Sequence, residues 1–162
     1  MMRAFTVDAM LGKLALWLRL TGHDTRFDTE MHDDELLEVS VAEGRVLITS
    51  DAELHERAQN LNLESMLLRS SVDEGVAQVF SEYGIPPEVN PAKSRCSKCN
   101  GGLVNIKEAD KERVQGLVFE QTFNYYEVFW LCENCNSVFF QGGHWKNIEL
   151  YMRRISDLMK KA

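Results

Sequence analysis

Proline is scarce in this chain, and all three prolines, Pro86, Pro87 and Pro91, fall within one short stretch. Proline interrupts helices and removes a ladder donor, so its absence elsewhere leaves both flanking tracts free for regular structure. Its concentration in Gly84-Ile85-Pro86-Pro87-Glu88-Val89-Asn90-Pro91 marks a linker. Cysteine is also rare, with four residues arranged as two Cys-x-x-Cys pairs. Long apolar runs are missing: no stretch approaches the roughly 20 residues that span a bilayer. The N-terminus lacks the basic, apolar and small-residue succession of a signal peptide. These absences lead us to expect a cytoplasmic protein with no membrane partner, in which thiols serve as metal ligands more readily than as disulfides. No internal repeat or low-complexity segment occurs.

An excess of basic residues is missing too. The 162-residue chain carries a formal net charge of −7, which argues against nucleic acid as a partner when taken as a whole. The distribution of charge weakens that argument. Residues 1–92 hold 7 Lys and Arg against 17 Asp and Glu, a balance of −10, whereas residues 93–162 hold 11 against 8, a balance of +3. An acidic unit is followed by a mildly basic one. We place the domain boundary after residue 92.

The first half alternates strand and helix. Ala4 to Val7 is a short buried strand ending on Asp8, and a helix follows with Leu11, Leu14, Ala15 and Leu18 at helical spacing and Gly22 as its stop. Trp17 reads as core. Asp24 to Phe27 suits a second strand and Asp33 to Gly44 a helix with acids at its start and glycine at its end. Val46 to Thr49 is a β-branched strand, followed by Asp51 and a helix to about Asn60. Ser65 to Leu68 and Asp73 to Tyr83 complete the pattern. Strands separated by helices imply βαβ units, hence an α/β fold with a parallel sheet flanked by helices. In the second half, Tyr125 to Leu131 reads as an aromatic strand and Val138 to Phe140 as its antiparallel partner. Gly142-Gly143-His144-Trp145 is a turn, and Ile148, Tyr151, Met152, Ile155 and Met159 define a final helix.

Two chemistries are visible in these residues. Cys96, Cys99, Cys132 and Cys135 have the spacing of a zinc ribbon: thiolates two residues apart fit adjacent corners of a tetrahedron, and four protein ligands leave no open position, so such zinc is structural. Two disulfides or four separate buried thiols are the alternatives. His144 is either a turn histidine or a substrate-facing one. In the first half, Asp8, Asp33 and Asp51 recur at strand ends or helix starts. In parallel sheets, ligands sit beyond the carboxyl ends of the strands, where Asp8 and Asp51 fall. Converging carboxylates favour a divalent cation such as Mg²⁺ or Mn²⁺. Asp is equally a favoured N-cap, and each of the three sits at or just before a helix start, so capping alone is the alternative reading. Asp34 and Glu35 suit a helix dipole. Lys13 and Arg19 are either phosphate contacts or solvated charges.

A wider pattern runs through nearly the whole chain: Val7-Asp8-x-Met10-Leu11-Gly12-Lys13-Leu14-Ala15-x-Trp17-Leu18-Arg19-x-x-Gly22, Asp33-x-Glu35-Leu36, Gly44-Arg45-Val46-Leu47-Ile48-Thr49-x-Asp51, Arg95-Cys96-x-x-Cys99, Cys132-x-x-Cys135 and Gly142-x-His144-Trp145. It resembles the ribonuclease domain named after the C-terminal part of the Mut-seven exonuclease, a PIN-like nuclease fold followed by a zinc ribbon. The resemblance implies a metal-dependent ribonuclease site in which Asp8, Asp33 and Asp51 are the acidic positions and bind Mg²⁺ or Mn²⁺. It also implies that Lys13 and Arg19 are basic contacts on the first helix, and that the four cysteines bind Zn²⁺. Asp73 is the nearest candidate for a fourth acid, with Asp34 a further one. Ser50 stands where a basic residue is frequent in the family.

The expectation is therefore a nuclease domain over residues 1–92, with a zinc ribbon and C-terminal helix over residues 93–162. The enzyme would hydrolyse RNA, single strands in preference, with the ribbon assisting RNA binding. The alternatives are a non-catalytic RNA- or protein-binding module on a degenerate nuclease fold and a phosphoacceptor receiver-like domain. The last normally carries an acid pair where Asp8 is followed by Ala9 and Met10. A regulatory protein partner and a homodimer are both compatible with the sequence.

Overall fold

The computed structural model describes residues 2–161. The first half forms a four-stranded parallel sheet from β1 (Phe5–Val7), β2 (Thr25–Arg26), β3 (Val46–Thr49) and β4 (Ser65–Leu67), ordered β2-β1-β3-β4. Period-two alternation sends the strand residues to two different cores. Phe5, Val7, Val46 and Ile48 face α1 (Gly12–Leu20) and α4 (Val72–Glu82), whereas Leu47 faces α2 (Asp33–Glu43) and α3 (Ala52–Asn60). Both faces are covered, which is why β1 and β3 are buried at every position. Local chemistry sets the helix ends. Gly44 closes α2 in the left-handed conformation, with φ of 64°. Asp51 caps α3 and Ser71 caps α4 through their side-chain oxygens.

The second half builds a three-stranded antiparallel sheet, β5 (Leu103–Ile106), β6 (Phe129–Cys132) and β7 (Val138–Phe139), in that order. Strand β5 lies in a stretch that composition leaves unassigned. The expected aromatic strand is shorter than its pattern, because Tyr125 ends a helix, α5 (Glu120–Tyr125), and the ladder begins at Phe129. Tyr126 instead packs edgewise on Tyr125 and against Phe140, with ring centroids 4.8 Å apart in both pairs. Aromatic packing over a small core of Ile106, Val114, Phe129 and Leu131 takes the place of strand pairing.

The last helix, α6 (Trp145–Lys160), starts beside the ribbon, where His144 meets Phe140, and then packs on the first half. Met152 and Ile155 are buried in the core of the first half, with Ile148, Tyr151, Leu158 and Met159 beside them. The helix at the end of residues 93–162 thus contributes side chains to the core of the first half. The proline-rich stretch is not a free spacer either, since Ile85 is buried in the same core and Val89 packs on it. No described helix is long and apolar enough to cross a membrane.

Candidate active site and metal centre

Strands β1 and β3 pair in register, with Val7 opposite Ile48, so Asp8 and Thr49 leave the sheet side by side at its carboxyl edge. Thr49, fully buried, donates its hydroxyl to Asp8 Oδ2 at 2.8 Å. The Thr49 hydroxyl oxygen in turn accepts from the Asp51 amide at 3.0 Å. Asp8 Oδ2 and the Asp51 backbone are thus at most two hydrogen-bond lengths apart. Asp51 Oδ1 accepts from the amides of Glu53 and Leu54. Asp33 is exposed at the first position of α2, and Asp34 beside it pairs with Arg57.

Asp73 stands apart from these acids in its bonding. It accepts from Tyr151 Oη at 2.7 Å, Arg154 Nε at 2.9 Å and Lys13 Nζ at 3.2 Å. The Tyr151 hydroxyl, above all, with Arg154 and Lys13, holds its carboxyl at about 2 against the opposing effect of burial. Tyr151 in turn stacks on Trp17 with centroids 4.4 Å apart, and Lys13 Nζ lies over the Tyr151 ring. One carboxylate thereby fastens α1, α4 and α6 together. Its oxygens are engaged by three donors, an arrangement that differs from the open acid expected of a fourth metal ligand.

Lys13 remains half-exposed despite this contact, and it lines a cavity of about 80 Å³ with Ser50, Ser70 and Ser71 beside the carboxyl edge. Arg19 sits elsewhere. It is only 6% exposed, and its Nε and Nη1 donate to the carbonyls of Thr25 and Ser97 at 3.1 Å. Burial lowers its pKa. Through these bonds Arg19 tethers the sheet unit to the ribbon. His144 is exposed at the start of α6, its ring edge-on to Phe140, on the ribbon side of the molecule.

The four cysteines come together. Their sulfurs all lie within 4.8 Å of one another, with 3.6 Å between Cys96 and Cys135 and 3.4 Å between Cys99 and Cys132. Sulfurs at tetrahedral corners, about 2.3 Å from zinc, would stand about 3.8 Å apart. A Cβ on Gly101 would meet two of the sulfurs, at 3.1 and 3.2 Å, so the backbone closes tightly around the cluster. Asn100 and Asn136, each following a pair, adopt left-handed φ of 70° and 60°, which turns both knuckles back on themselves. The Asn134 amide contacts Cys99 Sγ and pulls its pKa down to about 6, while burial pushes Cys96 up to about 12. This donor set fits a structural zinc ion. Asp8, Asp33 and Asp51 are not drawn together as tightly: among the described residues, the cysteines are the one group of three or more candidate ligands within 4.8 Å.

Sequence reasoning missed the residues that join the two units. Asn100 accepts from the Thr25 amide at 2.9 Å and donates to Asp24 Oδ1 at 2.7 Å, and buried Arg45 donates to the same oxygen at 2.8 Å. The Arg95 amide bonds the Arg19 carbonyl, and the Ser94 hydroxyl the Leu20 carbonyl. Polar joints of this kind carry no periodic signal. The missed Thr49 had one, a β-branched residue with a hydroxyl at the carboxyl end of a strand next to Asp51.

No curated protein and no solved structure matches this sequence. The family model of the Mut7-C RNAse domain matches residues 3–152, nearly the whole chain, and points to a ribonuclease-type function. Its span takes in the carboxylate edge, the cysteine cluster and the first half of α6 alike, and the chain belongs to the Mut7-C RNAse domain family.

Proposed function

We propose that this protein is a ribonuclease of PIN-like fold that hydrolyses phosphodiester bonds in single-stranded RNA with Mg²⁺ or Mn²⁺ bound by Asp8, Asp33 and Asp51. The supporting observation is the Asp8–Thr49–Asp51 arrangement at the carboxyl edge of neighbouring parallel strands. Hydrogen bonding uses Oδ2 of Asp8 and Oδ1 of Asp51, so the second oxygen of each is left for a cation. A bound divalent ion supplies an activated water and neutralises charge at the phosphate. Thr49 fixes the rotamer of Asp8, and the Asp51 cap bonds fix its own carboxylate. Lys13 orients the phosphate from the rim, with its ammonium held by Asp73. The cysteine cluster holds structural Zn²⁺.

The test is cleavage of end-labelled RNA with Mn²⁺ added. Wild type cuts and Asp8→Asn loses at least two orders of magnitude in rate, the scale of one lost group at a reacting centre. Equal cleavage by both proteins would identify a contaminant. The capping bonds of Asp51 and the uncharged Ser50 at the rim favour one second reading, a non-catalytic binding module. That module would show no change in melting temperature on adding Mn²⁺, whereas the enzyme is stabilised by its ion.

A further inference from the structure

A groove of about 420 Å³ runs along the outer side of α1. One wall is the first cysteine knuckle, through Ser97 and Lys98, and the other is the loop leaving β2, through Asp28 and Thr29. Its floor follows α1 from Gly12 to Arg19, a length of about 10 Å at the helical rise. Both ends have a meaning. Gly12 lies four residues beyond Asp8 and the loop of Asp28 and Thr29 leads into Asp33, so this end is the one nearer the carboxylate edge along the chain. The other end is capped by Lys98, exposed between the two cysteines of its knuckle.

The knuckle is not free to wander. Arg19 holds the Ser97 carbonyl, the Arg95 amide holds the Arg19 carbonyl, and Asn100 is bonded to both Thr25 and Asp24. The backbone that carries Lys98 is thus held in place beside the groove. Arg19 beneath it is bonded to carbonyls, so its charge is not cancelled by a carboxylate in direct contact. Lys98 and Arg19 line the groove with one acid, Asp28, while Asp24 and the thiols of Cys96 and Cys99 act on the Arg19 charge from outside the lining. A phosphate-bearing strand suits this charge better than an acidic or apolar peptide does, because backbone phosphates recur along the groove's length while peptide carboxylates need no such spacing.

We propose that this groove is the track for the sugar-phosphate backbone of the substrate strand away from the scissile bond, with Lys98 as its distal phosphate contact. The assignment rests on the ribonuclease reading for its substrate, and its test does not need cleavage. Fluorescence anisotropy with a labelled 12-nucleotide single-stranded RNA, without added divalent cation, compares wild type, Lys98→Ala, Lys98→Arg and Lys160→Ala, the last an equal loss of charge at the exposed end of α6. Lys98→Ala should weaken binding several-fold for any base sequence and lower the salt slope by about 0.7. Lys98→Arg should restore both, and Lys160→Ala should match wild type. Zinc content and melting temperature, unchanged in Lys98→Ala, confirm an intact knuckle. Equal affinity and slope in wild type and Lys98→Ala overturn the groove, as does poly-glutamate displacing the RNA at equal charge concentration. If Mn²⁺ cleavage fails but the Lys98 effect stands, the track survives and the ribonuclease reading falls; the reverse pair of results does the opposite.

Discussion

Replacing Asp73 by Asn keeps the size of the side chain and removes the charge that joins three helices. The carboxyl is held at about 2 against an ordinary 3.8, chiefly by Tyr151 and further by Arg154 and Lys13. Taken in full, that shift is worth at most about 2.5 kcal/mol. Lys13 and Arg154 are 50% and 61% exposed, so water screens their share, and we expect about 1–1.5 kcal/mol at neutral pH. For a chain of this size each kcal/mol moves the melting temperature by about 2–4 °C. The sign follows from the depressed pKa. The contribution is complete above the unfolded value near 4 and disappears as pH falls through about 2, where wild type also carries a neutral side chain. Urea unfolding of both proteins at several pH values measures it. Acid protonates the cysteine thiolates in both, so the difference between the curves isolates Asp73. The gap should be open at pH 7 and closed near pH 2. A gap that is the same at both ends, or none at pH 7, would refute the assignment of Asp73 as a charged post.

Ile155→Ala, at a fully buried position of α6, should cost about 2–5 kcal/mol, and the whole first core should unfold at lower urea. A loss confined to the ribbon would contradict the packing of α6 on α4. Thr49→Val keeps shape but leaves the Asp51 amide unpaired and Asp8 unheld, at a cost of about 1–3 kcal/mol. Cleavage of short RNA by this variant should fall further than its stability loss explains, measured as kcat at a temperature well below its unfolding transition.

The parallel sheet was legible because its signals are local and mutually consistent. Strands such as Val46–Thr49 are apolar and β-branched, and the breaks between them carry Gly44 and Asp51, whose capping chemistry is specific to position. The ribbon was less legible. Its knuckles were plain from the cysteines, but β5 is a short, half-exposed Leu-Val-Asn-Ile segment, and Tyr125 and Tyr126 have strand propensity that aromatic packing overrides. The placing of α6 was not legible at all, because a stripe of Ile148, Met152 and Ile155 states that a helix buries one face and not which core receives it.

Basic residues show the same limit within the site. Lys13 and Arg19 lie six positions apart on one helix and are indistinguishable in sequence as candidate phosphate contacts. The helical screw separates them. Six residues amount to 600° of rotation at about 100° per residue, which leaves Arg19 about 120° away from Lys13 around α1. Lys13 therefore turns to the α4 and α6 side, where Asp73 meets it, and Arg19 turns to the edge strand β2 and the ribbon, where the carbonyls of Thr25 and Ser97 accept its hydrogen bonds. The same rotation that removes Arg19 from the rim places it under the first knuckle. The same guanidinium is the tether that holds the Ser97 carbonyl beside the groove. The function of a basic side chain on this helix is set by its angle, and the partner at that angle is supplied by distant residues, Asp73 for Lys13 at 60 positions and Ser97 for Arg19 at 78.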